Sequence, residues 1–418
     1  MINKCKTLII LVICASFVLS GCTNSANTIG LNQVQIQSNK KQEDISKILK
    51  EFLQPGAEFI TLKKEDHKES IFVEDIDQDG KQEAFVLYRD TKENKQVHLL
   101  VLKEEGEKWK ILSDTATGFN TLDYFKLKDL EGNNNKELIL GVSAGDSEVK
   151  KELFIYEWHK SNLVKTVNRS YEGIDIADYN GDKKPDLLIV DGERNKLQTA
   201  QLFSYEKGQL KVLSSVELNP DSFHENIVFG KLADGKKALY IDGGLGAHSM
   251  LTEIVAYNNG KLIKVGKEDD GTLFKAYPLY SRDINNDGVV EVGGMYITKG
   301  FEDAAMAEIP FIYTYSDYRI DGSKQIIEER YTDNCKKFYI TIPPKLYGKV
   351  TVKKLDNGVS LISNLDEKTL FKVKWINKES YVASNTKLKE TKDTVFYTDT
   401  KEDLSIPNDN FHLLQDEF

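Results

Sequence analysis

Short apolar runs, each set behind a polar turn, recur along most of the chain and predict strands. Ala84-Phe-Val-Leu-Tyr88, Leu138-Ile-Leu-Gly141 and Leu187-Leu-Ile-Val190 read as buried strands. About twenty residues behind such a strand comes a hairpin, with an aromatic before the turn and Leu or Ile after it. Leu153-Phe-Ile-Tyr156 with Asn162-Leu163, Leu202-Phe-Ser-Tyr205 with Gly208-Gln-Leu210, and Ile254-Val-Ala-Tyr257 with Gly260-Lys-Leu262 follow this form. A helical period appears near the start, where Ile45, Ile48, Leu49, Phe52 and Leu53 share one face before Pro55-Gly56 ends it. The pattern therefore predicts an all-β fold with one short N-terminal helix, packed on the first sheet or capping the barrel end.

The turn before the buried strand is itself repeated. It reads Asp75-Ile-Asp77-Gln-Asp79-Gly80-Lys-Gln-Glu83, then Asp129-Leu-Glu131-Gly-Asn133-Asn-Asn-Lys-Glu137. The third and fourth copies are Asp178-Tyr-Asn180-Gly-Asp182-Lys-Lys-Pro-Asp186 and Asp283-Ile-Asn285-Asn-Asp287-Gly288-Val-Val-Glu291. Oxygen-bearing side chains stand at positions 1, 3, 5 and 9 of every copy. Hard oxygen donors gathered by a tight loop suit calcium. The double spacing between the third and fourth copies holds a fifth, Phe229-Gly-Lys-Leu-Ala-Asp234-Gly235-Lys-Lys-Ala-Leu-Tyr240, which lacks the carboxylates and should be metal-free. Tyr331–Ile342 reads as a sixth, degenerate repeat, and Leu370–Trp375 as a later strand.

A loop, a strand and a hairpin give about four strands per repeat, which is one propeller blade. About 380 structured residues at about 52 per repeat predict a seven-bladed β-propeller, with six blades as the alternative. The repeated loop and its following strand resemble the FG-GAP or VCBS repeats of integrin-α-type propellers. That resemblance implies calcium in the loops, and the second copy departs most from the pattern.

Lys4 and Lys6 precede an apolar run from Thr7 to Leu19, and Leu19-Ser-Gly-Cys22 follows. This is the form of a secretory signal over 1–21, too short for a stable membrane span. The last four residues resemble the lipobox of bacterial lipoproteins, which implies acylation at Cys22 and export to the outer face of the cytoplasmic membrane. Residues 22–40 then read as a polar tether, and 41–418 as the propeller. Together, the lipobox, the loops and Ile241-Asp-Gly-Gly-Leu-Gly-Ala-His248-Ser-Met-Leu-Thr-Glu253 are similar to lipoproteins of low-GC Gram-positive bacteria. Cys335 is the single cysteine left after the signal and the anchor, so no disulfide forms within the mature chain.

The formal net charge is -10, with 66 acidic against 56 basic residues, which argues against nucleic acid as a partner. No nucleotide-binding glycine motif is present, and the histidines lack zinc spacing. His248 and Ser249 invite a hydrolase reading, but neighbours on a strand point to opposite faces. They are kept as possible ligand contacts, with no catalytic residue assigned. The expected protein is a membrane-tethered binding module for an envelope protein or polymer. The alternative is a hydrolase or lyase acting on an envelope glycan or exported substrate.

Overall fold

The computed structural model describes residues 40–62, 69–90, 95–145, 150–159, 162–246, 248–267, 270–382, 385–400 and 404–414. The signal segment, Cys22 and the tether up to residue 39 lie outside these residues. Among the described residues, 28 strands form six antiparallel sheets beside one α-helix. The chain is all-β, built from consecutive meanders of the propeller-blade type. No helix among the described residues is long and apolar enough to cross a membrane.

Among the described residues two compact units are present, one within 40–73 and 84–118, the other within 74–83 and 119–414. In the first unit, α1 (Lys40–Phe52) lays Ile45, Leu49 and the following Leu53 onto Phe59, Val86, Leu100, Leu102 and Trp109 of the first sheet. The apolar stripe read from the sequence is the buried face, so the helix covers a blade.

The second unit contains the other five sheets, which stack in chain order. The second sheet runs Thr121–Lys128, Glu137–Ser143, Lys151–His159, Asn162–Tyr171. Its Ile139, Leu153 and Ile155 pack on Ile174, Leu187 and Phe203 of the third sheet, which begins at Gly173. The opposite face of the third sheet, with Leu188, Val190 and Leu202, meets Leu239, Ile241 and Val255 of the fourth. Residues one apart along a strand thus serve two different interfaces, as the alternation of a pleat requires. The fourth sheet packs in turn on Val290, Val292 and Tyr318 of the fifth, and Ile312, Phe338 and Ile340 of the fifth pack on Val350, Leu361 and Phe371 of the sixth.

The described residues form six such sheets. Tyr331–Ile342 does not open a repeat of its own. Tyr331 belongs to the strand Lys324–Asp333, and Phe338–Ile342 pairs with that strand inside the fifth sheet. Phe411–Leu413, near the C-terminus, adds to the same sheet by pairing with Phe338–Ile340. Phe338 explains the placement, because it sits against Phe396 and Phe411 at ring separations of 5.5 and 5.1 Å and closes the core between the fifth and sixth sheets.

Candidate functional site

Each acidic loop runs straight into a buried strand of its sheet, Glu83–Arg89, Glu137–Ser143, Asp186–Gly192 and Val292–Tyr296 in turn, and all four have one backbone. Position 4 takes a left-handed conformation (Gln78, Gly132, Gly181, Asn286), and so does position 6 (Gly80, Asn134, Lys183, Gly288). The position-1 aspartate explains the second of these turns, since it accepts the position-6 N–H in every copy. Gly80, Asn134, Lys183 and Gly288 donate to Asp75, Asp129, Asp178 and Asp283 at 2.8–3.0 Å. The position-5 side chains Asp79, Asn133, Asp182 and Asp287 accept from the position-7 N–H at 2.7–2.8 Å. Position 9 closes the loop from inside, where Glu83, Glu137, Asp186 and Glu291 accept the position-2 N–H at 2.7–3.1 Å. The position-1 and position-5 contacts are local Asp and Asn side-chain turns, and all three sets repeat in one register.

The copies differ in what their remaining oxygens do. Carboxylate oxygens of Asp75, Asp77 and Glu83 lie within 4.8 Å of one another, and so do those of Asp283, Asp287 and Glu291. Asp79 and Asn285 complete those two loops at positions 5 and 3. Asp75 Oδ1 is buried without a hydrogen-bond partner among the described residues, which is the state a cation would relieve. These two donor sets fit a hard divalent cation, which would supply the missing charge balance.

In the second loop Glu131 turns away, accepting the Lys207 N–H from the turn between the last two strands of the third sheet and, at 3.1 Å, the Asn133 amide. In the third, the Asn180 amide donates to Asp186 at 3.1 Å, as Asn285 does to Glu291 in the fourth, and it also donates to Asp182 at 3.3 Å, a contact particular to this loop. Burial, beside neighbouring acids, pushes the Glu137 and Glu291 carboxyls up to about 7 and raises Asp186. The fifth copy, which keeps only Asp234, is a plain turn, with the Gly235 N–H donating to the Leu232 carbonyl at 2.8 Å.

The glycine-rich segment lies in the fourth sheet, along Lys237–Leu245 and into Ser249–Asn258. Its Asp242 is fully buried and is the hub of a polar network. Thr252 Oγ1 donates to it at 2.5 Å, the Ser281 N–H at 2.6 Å, Ser281 Oγ at 2.9 Å and Asn226 Nδ2 at 2.9 Å. Lys275 Nζ, equally buried, lies 3.6 Å away and donates to the carbonyls of Leu279 (2.6 Å) and Gly293 (2.5 Å). Burial pulls its ammonium down to about 8, while Asp242 opposes that shift. Gly243 leaves room for Ser222, whose Cβ would lie 2.7 Å from an added methyl group. His248 is exposed in the turn, with its ring 6.0 Å from that of Tyr277, and Ser249 Oγ donates to the Leu245 carbonyl. The structure therefore gives the segment a structural hub at Asp242, which the sequence reading did not single out.

Beside this hub, a cleft of ≈ 760 Å³ opens between the fourth and fifth sheets. Tyr313 and Tyr315 on one strand, and Arg330 and Thr332 on the next, share its fifth-sheet wall, because Tyr313 and Arg330 are cross-strand partners. Arg330 stacks between the rings of Tyr315 and Tyr339 at 4.5 Å each, and Arg282 lies 5.6 Å from the other partner, Tyr315. Glu328 holds Arg330 Nε at 2.6 Å. The Asp242 hub fixes Asn226 and Ser281, which also line the cleft. A period-two spacing, Tyr313-x-Tyr315 against Arg330-x-Thr332, was the available sequence signal. It shows up as a site only once the two strands are paired.

No family model matches the chain, and no curated protein matches it. Solved structures share a distant likeness. A hypothetical selenium-binding protein from Sulfolobus tokodaii is 11% identical over 48% of this chain and 54% of its own, with a TM-score of 0.29. An exotype rhamnogalacturonan lyase is 10% identical over 77% and 79%, with a TM-score of 0.30. An exo-β-1,3-galactanase from Clostridium thermocellum is 8% identical over 86% and 99%, also at 0.30. Likeness at this level transfers neither an activity nor a ligand to this chain.

Proposed function

We propose that this chain is an exported, lipid-anchored binding module of the FG-GAP or VCBS kind, whose acidic loops hold calcium and whose blades engage an envelope protein or polymer. The observation that carries the reading is the single scheme of backbone and carboxylate contacts shared by four loops. Two of those loops gather three carboxylates within 4.8 Å. Calcium there neutralises carboxylates that would otherwise repel one another, and so stiffens the blade. The anchor rests on the Leu19-Ser-Gly-Cys22 sequence. A hydrolase or lyase using two carboxylates finds no support in the cleft, whose walls carry no Asp or Glu.

The test is crosslinking of the tethered protein in intact cells, followed by capture, with calcium present or chelated. Recovery of one envelope component with calcium and its loss on chelation supports the reading. A protein that is recovered without a partner in both conditions, and whose melting ignores calcium, overturns it.

A further inference from the structure

We propose that the cleft between the fourth and fifth sheets binds an anionic saccharide, with the sugar's carboxylate or phosphate held by Arg282, Arg330 and Lys337. The inference rests on the binding-module reading but does not depend on calcium.

Charge is the first argument. The whole sequence holds 66 acidic and 56 basic residues, yet the cleft is lined by three cations and no carboxylate. A positive recess in an acidic chain concentrates an anion. The second argument is preorganisation. Arg330 is buried and clamped between two tyrosine rings, while Tyr315 also stacks with Arg282. With its faces between the rings and its Nε held by Glu328, the Arg330 guanidinium keeps one orientation and has little rotamer entropy to lose, and such a plane matches a carboxylate or phosphate.

The third argument selects a sugar among anions. Beside the cations the walls alternate apolar surface, as at Val228 and Leu279, with small polar groups at Asn226 and Thr332. Sugars present the same alternation of C–H faces and hydroxyls. Thr332 Oγ1 is buried without a hydrogen-bond partner among the described residues, a group that a ligand hydroxyl would satisfy. The volume, ≈ 760 Å³, lies in the range of small-molecule sites and suits a short oligosaccharide. The Asp242 hub gives the cleft a fixed floor, because it sets Asn226 and Ser281 from behind.

The experiment is calorimetric titration of the full-length chain in detergent micelles. The probes are an oligoglucuronate, its methyl ester, a hexose phosphate and a polyglutamate peptide. The expected result is binding of the oligoglucuronate or the hexose phosphate, weakened by salt, with the ester bound about tenfold more weakly or not at all. Those two arms tell a carboxylate ligand from a phosphate one. Arg282→Gln with Lys337→Gln should cost about tenfold in affinity or more. Lys337→Gln alone, at an exposed position, gives a smaller loss and guards against misfolding, as does an unchanged melting temperature.

Equal binding of acid and ester, binding unaffected by the variants, or no binding of any probe overturns the proposal. Preference for polyglutamate overturns it in favour of an acidic peptide. If the crosslinked partner is still captured by the Arg282→Gln, Lys337→Gln chain, the cleft assignment fails while the binding-module reading stands.

Discussion

The fourth sheet and its neighbours solve one electrostatic problem in different ways. The second, third and fifth sheets each carry a loop rich in carboxylates, and in the fifth three of them crowd within 4.8 Å. The fourth sheet has Asp234 in a plain turn, where its Oδ2 accepts the Ile320 N–H at 3.0 Å. Its buried carboxylate is Asp242 instead, and its counter-charge, Lys275, comes from the same chain 3.6 Å away. An internal lysine travels with the chain, whereas a loop that depends on an outside cation gains stability only as that cation's concentration rises above its dissociation constant. The difference therefore divides the molecule into a part that should ignore calcium and parts that should respond to it.

The sharpest break of this comparison is Lys275→Met. Removing one member of a fully buried pair leaves Asp242 uncompensated, at a cost of about 3–5 kcal/mol. Denaturant unfolding should show that loss equally with calcium and with chelator. A loss that calcium repairs would mean that the two regions are not independent.

Next in size is the pair Asp75→Asn and Asp283→Asn. At ten times its dissociation constant, a site bound only in the folded state adds about 1.4 kcal/mol. The double variant should lose most of the calcium-dependent rise in melting temperature that the native chain shows. In chelator it should be no less stable than the native chain, because each substitution removes a repelling charge. A calcium response that survives both changes would move the metal to the second and third loops.

Protons offer a third probe. Glu137 and Glu291 have folded values of about 7 against an ordinary 4.5, so the folded state holds protons more tightly than the unfolded one. Their contribution to stability is complete below about pH 4.5 and is lost as pH rises through about 7. The chelated protein should therefore melt higher near pH 5 than near pH 8, and excess calcium should flatten the difference. A chelated protein that melts lower at pH 5 would show that other groups govern acid stability.

Much of the architecture was legible because it is repeated. Four copies of one loop told where blades begin, and the strands at Ala84, Leu138 and Leu187 fall inside Glu83–Arg89, Glu137–Ser143 and Asp186–Gly192. The apolar stripe at Ile45 and Leu49 told which face of the helix is buried. Where the repeat decays, local pattern no longer decides partners. Phe338–Ile342 reads equally well as the start of a blade or the end of one, and pairing with Phe411–Leu413, about seventy residues on, is what settles it. The cleft was hidden for the same reason, since Arg282, Tyr315, Arg330 and Lys337 converge only through strand pairing and sheet stacking. Lys275 carried no motif at all, because a lone lysine in sequence gives no sign of complete burial.

The smallest effect concerns Glu131, and it refines the comparison among the loops themselves. The second loop has the same backbone as the first, yet one oxygen of its position-3 carboxylate reaches out of the loop to the Lys207 N–H while the other accepts the loop's own Asn133 amide. A glutamate reaches that far because it has one more methylene than the Asp77 of the first loop. Glu131→Gln keeps an acceptor for Lys207 at a half-buried site, so stability should change by no more than about 0.5 kcal/mol. The calcium response should not change either, since this carboxylate is engaged elsewhere. Glu131→Asp is the informative partner, because the shorter side chain cannot reach Lys207 as readily and falls back toward Asp129 and Glu137. If side-chain reach alone separates the two loops, that substitution should raise calcium binding by one site, read by equilibrium dialysis. If binding stays the same, the difference lies in Asn133 and Asn135, and the backbone scheme common to all four loops holds metal only where three carboxylates already converge.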